Sequence, residues 1–527
     1  MRTLLYNLKV QNSDRMFKDG FILIIDDKIE SVIVEDKIED VVITDDVVYH
    51  PNIPDIADFQ ADEHIDMRGA YMFPGFVDSH LHIPGKKLFE LYGIDLSSCN
   101  SVDEYMTTLL DKKQELLDRH EPAIRGYGWC NYCLKEDYAK FRQFIDDNFK
   151  DIDVVLFSSD FHSCICNDCV LKSFKGSNEN GLVTGRDLFR LLLEVGSVTF
   201  SDEQMKAAIL KYQDMLLDYG ITTVQTLMFL GGNGFKEYRV LRELDRAGKL
   251  KIRVNIALTI YEYATKDELL DSIRLLKYYE TDRIKFRTIK LYLDGVVENY
   301  TAYLTSNYEG KDFCGEPYWE YSKLLEMCRF IDNIGYQIHI HAIGDGAVHM
   351  ACQCLSDVIG IGKNINRHVI THIQLMQDED LELIKKHDIL VSLQPYWFSL
   401  DDEGKSYEYQ FIGDRAYKEY PVSNMLKSGV RVSFSSDSPV TLKPNPLVAA
   451  QTAGRRYNYG ERVGIADSLI GFTEMGAYQL FRNNEIGCLR AGYKADIIGV
   501  APFGPLESLW DSSVCFVMSN GEVLRLS

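Results

Sequence analysis

The chain has 527 residues, with 57 Lys+Arg against 79 Asp+Glu and a formal net charge of −22. Hydrophobic residues make up 46% and charged residues 26%, an ordinary globular composition that excludes extensive disorder. The acidic balance disfavours nonspecific binding to nucleic acid, which draws on a surplus of Lys and Arg. The length suits roughly two to four domains, or one large barrel with additions. The opening MRTLLYNLKVQNSDRMFKDG is too short and too interrupted in its apolar stretch for a signal peptide. No uncharged apolar run of about 18 residues occurs, so no membrane span is expected. The 12 cysteines are expected to be reduced thiols in a soluble cytoplasmic protein.

Residues 20–34 (GFILIIDDKIESVIV) alternate apolar and polar about Asp26–Asp27 and predict a β-hairpin. Further extended stretches follow at 41–49 and 64–72. The run Phe73–His82 reads as the first strand of a different unit. Residues 83–220 then make a connection far longer than an ordinary loop. Helical spacing at Val102–Arg119, Asp137–Phe149 and Asp202–Tyr219, with a strand near Val154–Ser158, predicts an inserted cap there.

Beyond it, apolar runs recur at Ile221–Met228, Ile252–Thr259, Thr288–Leu293, Gln337–Ala342, His368–Ile373, Ile389–Gln394 and Val430–Ser436. Between them, Glu237–Gly248, Lys266–Glu280, Tyr321–Gly335, Gly346–Ile359 and Asp378–His387 carry helical spacing. Eight strands alternating with helices predict an α/β chain built on a (β/α)8 TIM barrel. A doubly wound open sheet is the competing architecture, weakened because no Gly-rich phosphate fingerprint follows an early strand. The C-terminal IIGVAP, SVCFVMSN and GEVLRLS are short strands again. The expected division is 1–70 with 480–527 as a composite β-sandwich, 71–83 with 219–479 as the barrel, and 84–218 as the cap.

Of only 12 histidines, several fall at the C-terminal ends of predicted barrel strands, the rim where such barrels build their sites. His80 and His82 end the first strand in FPGFVDSHLH, and residues two apart share a face. His341 ends the fifth strand, His372 the sixth, and Asp437 follows the eighth; Lys290 lies on the fourth. Neutral imidazoles and a carboxylate are ligands for a borderline divalent cation such as zinc. A satisfied core histidine is the ordinary reading of any one of these, but four at one rim with an acid predict a metal site. His339 shares the inward face of His341 about 6–7 Å deeper and is read as an interior layer residue. His368 is read as structural; His50, His64, His120, His349 and His387 are assigned no catalytic part.

The block PGFVDSHLH resembles the metal-binding signature of the amidohydrolase superfamily. IKLYLDGVVENYTA, HAIGDGA, RHVITHIQL, the QP of SLQPYWF, and SSDSPV followed by NPL are similar to its YtcJ-like branch. The C-terminal Gly487, Leu489, Gly492, Ala495 and Asp496 also resemble that superfamily's return into its sheet domain. The resemblance covers nearly the whole chain, in order. It implies a metal-dependent (β/α)8 hydrolase with a composite β-sandwich, acting on a small molecule, with a homodimer as the suggested assembly. Carried over, His80 and His82 would bind the more buried metal with Asp437, and His341 and His372 a second or shared one. Lys290 matches a position that some members carboxylate to bridge two metals; a plain buried or substrate-facing Lys is the alternative.

A divalent ion lowers the pKa of its water toward about 7, and Asp437 is placed to act as general base and then general acid. The expected activity is hydrolysis of a nonpeptide carbon–nitrogen bond of amide, N-acyl or N-formyl type. An ester, lactone or cyclic amide is the alternative substrate. A non-catalytic binding or regulatory protein and a metal-independent barrel isomerase are the other classes weighed. FHSCICN makes His162 a candidate substrate contact, GYGWCNY offers Trp129 as an aromatic wall, and Trp397 in PYWF offers another. Gly185 and Arg186 stand where many branch members carry an acid. Arg455 and Arg456 are either carboxylate contacts or solvated helix residues. Cys130, Cys133, Cys164, Cys166 and Cys169 have spacing compatible with a structural zinc site, but buried cap thiols are the expected reading, since the resembled family has other residues at these places.

Overall fold

The computed structural model describes the chain apart from residues 12–15, 37–41, 45–46, 51, 53, 120, 135–136, 160, 162, 179, 197–198, 230–233, 401–403, 456–461 and 503–511. Its centre is an eight-stranded parallel sheet. In chain order the strands are Phe76–Leu81, Ile221–Phe229, Arg253–Thr259, Ile284–Tyr292, Gln337–Ala342, Val369–His372, Leu390–Leu393 and Val432–Phe434. The strands pair consecutively. The ring closes where the Asp437 N–H donates to the His80 carbonyl and the His82 N–H to the Ser438 carbonyl, each at 2.8 Å. Residues such as Val254, Ile256, Ile289, Leu291, Ile338, Ile340 and Val391 are fully buried. Strands covered on both faces bury apolar residues along their length, which is why the eight runs stand out in the sequence.

The outer helices match the apolar spacing closely, among them Lys266–Tyr279, Tyr321–Asn333, Asp345–Ile359 and Asp378–Lys386. Thr265 and Glu268 form a reciprocal capping box that starts the first of these.

One run divides where the sequence shows no break. Residues Glu63–Pro74 belong to the terminal sheet, pairing with Arg2–Gln11 and Ile497–Val500, and the barrel begins at Phe76. Gly75 is the junction. A Cβ there would sit 2.3 Å from Thr222 Oγ1, so only glycine lets the chain pass so close to the second strand. The strands from both ends of the chain join in one nine-stranded ladder, and strands from both termini share one apolar cluster that includes Leu5, Ile22, Met72, Ile497 and Phe516.

Between the first and second barrel strands the chain builds a separate five-stranded sheet from Ile94–Asp95, Ala123–Trp129, Asp153–Ser158, Ser163–Cys166 and Leu182–Thr184. Helices Val102–Asp118 and Tyr138–Asn148 pack on it through Tyr105, Leu109, Phe141 and Ile145. No helix among the described residues is long and apolar enough to cross a membrane.

Candidate metal centre

The C-terminal mouth of the barrel gathers the predicted donors. His80 lies on the first strand and His82 just beyond it, while His372 is the last residue of the sixth. In register, Lys290 lies opposite His339, Tyr292 opposite His341, and Ala342 opposite His372. The ligand atoms of His80, His82 and Asp437 lie within 4.8 Å of one another, the one such cluster among the described residues. Asp437 Oδ1 is 3.2 Å from His80 Nε2 and 3.1 Å from His82 Nε2. The His80 ring centroid is 5.2 Å from that of His372, and His372 is 4.5 Å from His341. His372 and Asp437 both have left-handed backbone, with φ of 78° and 52°. Side-chain-bearing residues avoid this region, and such strain collects where function fixes the direction of a side chain.

Burial decides the charge states. Together with a smaller effect of Lys290, it pushes the His80 imidazole down to about 3. Burial also holds His372 well below its ordinary value. For Asp437 burial acts upward, but the surrounding imidazoles of His80, His82 and His372 outweigh it and hold the carboxyl well below its usual range. Neutral imidazoles facing a carboxylate are the states a divalent cation requires.

Lys290 is fully buried, and its Nζ has no hydrogen-bond partner among the described residues; it stands 5.2 Å over the Tyr292 ring. Burial depresses its pKa well below that of a free lysine. An unpartnered buried amine beside this donor set is a costly feature unless something else satisfies it. The donor chemistry and this orphaned amine both fit a divalent metal at the site.

Two carboxylates that sequence reasoning passed over belong here. Asp78 is fully buried two residues before His80, and its Oδ1 accepts from the Ser436 N–H at 3.0 Å; burial raises it to about 7. Asp294 accepts from the backbone N–H groups of Tyr303, Ile343 and Gly344, and lies 3.6 Å from His341 Nε2. It thus ties the loop after the fourth strand to the turn after the fifth. An acid two residues before His80, inside a strand run with no other charged residue, was the available signal for Asp78.

The remaining expectations divide. Trp397 stacks on His372, with ring centroids 5.4 Å apart and planes 12° apart. With Tyr396, Tyr420, Val296, Ile343 and Val440 it lines a cavity of about 520 Å³. Trp129 does not reach the centre. It is fully buried in the cap's apolar cluster, and its indole N–H donates to the Leu156 carbonyl at 2.7 Å. The expected wall at Trp129 is thereby corrected: it is cap core, held where a large ring can bury most area. His162, His120 and Arg456 lie outside the described residues. Cys130 and Cys133 pair at 2.9 Å, and Cys164 and Cys166 at 3.6 Å, but among the described residues they do not gather into a group of three.

Imidazole and carboxylate donors converging on one mouth of a (β/α)8 barrel form a candidate divalent-metal centre. The sequence profile of the amidohydrolase family matches residues 63–501. The chain belongs to the amidohydrolase family, and it is an enzyme acting on carbon–nitrogen bonds other than peptide bonds. The "Putative amidohydrolase YtcJ" of Bacillus subtilis (strain 168) is 24% identical over 470 residues, 82% of this chain and 84% of its own. The N-substituted formamide deformylase of Arthrobacter pascens is 20% identical over 482 residues, 83% and 84% respectively. The crystal structure of an uncharacterized metal-dependent hydrolase from Pyrococcus horikoshii OT3 superposes with a TM-score of 0.73 at 23% identity, over 95% of this chain and 98% of that one. At that identity the likeness shows a shared fold.

Proposed function

We propose that the chain hydrolyses the amide bond of a small N-acyl or N-formyl compound, releasing a carboxylate and an amine. The observation that carries this reading is the convergence of His80, His82 and Asp437 on one point at the barrel mouth. Zinc is the ion this mixed imidazole and carboxylate set favours. His80, His82 and Asp437 would hold the more buried ion, with His341 and His372 toward a second or shared position. Burial lowers the pKa of the Lys290 amine and so favours its neutral form, the form that adds to the carbon of CO2 with loss of a proton. Carbamylated in this way, Lys290 would supply an anionic oxygen donor to the metal site. When bound, a divalent ion acidifies water toward neutral pH and polarises the scissile carbonyl.

Asp437 accepts the proton of the attacking water and returns it to the leaving nitrogen as the carbon–nitrogen bond breaks. The His372–Trp397 stack joins the centre to the 520 Å³ cavity, where the part of the substrate away from the reacting bond would rest. The similarity to a formamide deformylase is in keeping with this substrate class.

Turnover of a panel of N-formyl and N-acyl compounds, set beside esters and lactones, tests the reading. Amide hydrolysis that disappears on chelation and returns with zinc is expected. Activity confined to esters and lactones, or indifferent to chelation, would contradict it. Trp397→Ala removes one cavity wall. With about 0.5–1.5 kcal/mol in such aromatic contacts, KM rises roughly 2- to 12-fold with a smaller change in kcat, as steady-state kinetics on the best substrate would show.

A further inference from the structure

We infer that a one-way chain of hydrogen bonds, running from the floor of the barrel through Gln225 and His339, fixes the tautomer of His80 and so aims its Nε2 lone pair at the metal position. The inference rests on the reading of His80 as a metal ligand. It concerns His339 and Gln225, which hold no ligand position themselves and act through His80 as positioning residues.

The direction of the chain is set at its lower end. Gln337 Nε2 lies 2.7 Å from the Arg367 carbonyl and 3.0 Å from the Gln479 carbonyl. Backbone carbonyls only accept, so both amide protons of Gln337 are used there and its Oε1 faces the other way as an acceptor. Thr288 Oγ1, 2.8 Å away, therefore donates its one proton to Gln337 Oε1. It can then only accept from Gln225 Nε2, at 3.1 Å. That turns Gln225 Oε1 toward His339 Nδ1, at 3.1 Å, as an acceptor. Gln479 confirms this orientation independently. Its Nε2 donates to the Ser79 carbonyl at 3.1 Å and to the same Gln225 Oε1 at 3.4 Å, while the Ser433 hydroxyl donates to its Oε1.

His339 accordingly carries its proton on Nδ1 and presents a bare Nε2 to His80 Nδ1, at 3.0 Å. His80 must donate from Nδ1. Its Nε2, 3.2 Å from Asp437 Oδ1, is left as a lone pair. Imidazole nitrogen and carboxylate oxygen are then two electron-pair donors converging on one place, as a cation requires. Five side chains from four strands, with none exposed beyond a few per cent, make this chain. Reversal at any link would bury two donors or two acceptors face to face.

His372 uses a shorter version of the same device. The Thr371 hydroxyl donates to the Ser392 carbonyl, Gln394 Nε2 donates to Thr371 Oγ1, and Gln394 Oε1 accepts from His372 Nδ1 at 2.9 Å. His341 donates from Nε2 to the Gly295 carbonyl at 3.1 Å. His80, His341 and His372 thus each have one nitrogen tied to an acceptor. Only His80 reaches its amide through a second histidine.

Zinc affinity by chelator competition on the full-length protein tests the role of His339. His339→Phe keeps a ring but removes the acceptor, and should weaken zinc binding about 10- to 100-fold. His339→Gln keeps the polarity, its oxygen accepting from His80 and its amide donating to Gln225, and should restore binding to within a few-fold of wild type. A purely space-filling role predicts the reverse order, and zinc affinity in His339→Phe within twofold of wild type would overturn the inference. Neutron diffraction from the metal-free wild type decides the point even where the Phe variant does not fold. Deuterium on His80 Nδ1 supports the chain, and deuterium on Nε2 refutes it. Failure of the wild type to bind zinc at all would remove the metal reading itself, a result distinct from either.

Discussion

Asp437→Asn lowers kcat by about 10²–10⁴, with KM changed only a few-fold and metal retained. The carboxylate sits between His80 and His82 and is held ionised, so it can take a proton from water and give it to nitrogen. Asparagine keeps the shape and one oxygen donor but cannot cycle a proton. Because the interaction is made as the bond breaks, its loss falls on kcat rather than on binding. Steady-state kinetics with metal content measured on the same samples check this. Near-full turnover by a metal-loaded Asp437→Asn protein would remove Asp437 from the proton path.

The second large effect is on stability. Arg253, which begins the third barrel strand, forms an ion pair with Asp496, and both side chains are almost fully buried. Arg253 also donates to Asn520 Oδ1 at 2.8 Å, and Asp496 accepts from the Asn520 N–H at 2.7 Å. The Gly75 N–H donates to the Asp496 carbonyl at 2.8 Å, so the pair stands at the junction where the terminal sheet enters the barrel. Asp496→Ala leaves a guanidinium buried without its counter-charge, a change that costs about 3–5 kcal/mol. The midpoint of urea unfolding should fall accordingly. A loss under about 1 kcal/mol would show that Asn520 and solvent satisfy Arg253 unaided.

Much of this organisation was legible in the sequence, and the reasons are physical. Every barrel strand carries buried apolar residues even where polar ones point into the barrel, so a run such as Gln337–Ala342, with Ile338, Ile340 and Ala342 apolar, coincides with the strand observed. Histidines at strand ends stood out because few residues of any kind there carry metal-binding nitrogen. His339 was rightly placed in the barrel interior, but its partners were invisible. Gln225 and Thr288 come from strands distant in the chain, Gln337 on the same strand as His339 joins only through Thr288, and no local pattern announces a hydrogen bond across a barrel. Gly75 hid inside an apolar run because what divides that run is the closeness of Thr222, a tertiary fact. Trp129 misled for a related reason. An aromatic beside glycines reads the same whether it lines a pocket or fills a core, and the bond from its indole N–H to Leu156 decides for the core. Asp78 and Asp294 lay within recognised blocks but were eclipsed by the histidines and lysine beside them.

The central claim is that dispersed donors grip a common divalent ion at one mouth of the barrel. Elemental analysis of protein purified without chelators, compared with a His80→Ala, His82→Ala, Asp437→Ala triple variant that remains folded, tests it most directly. One or two equivalents of zinc or a similar ion per wild-type chain, with almost none in the variant, is the predicted result. Equal metal in both proteins, or a wild type that takes up no ion when equilibrated with zinc, would contradict it.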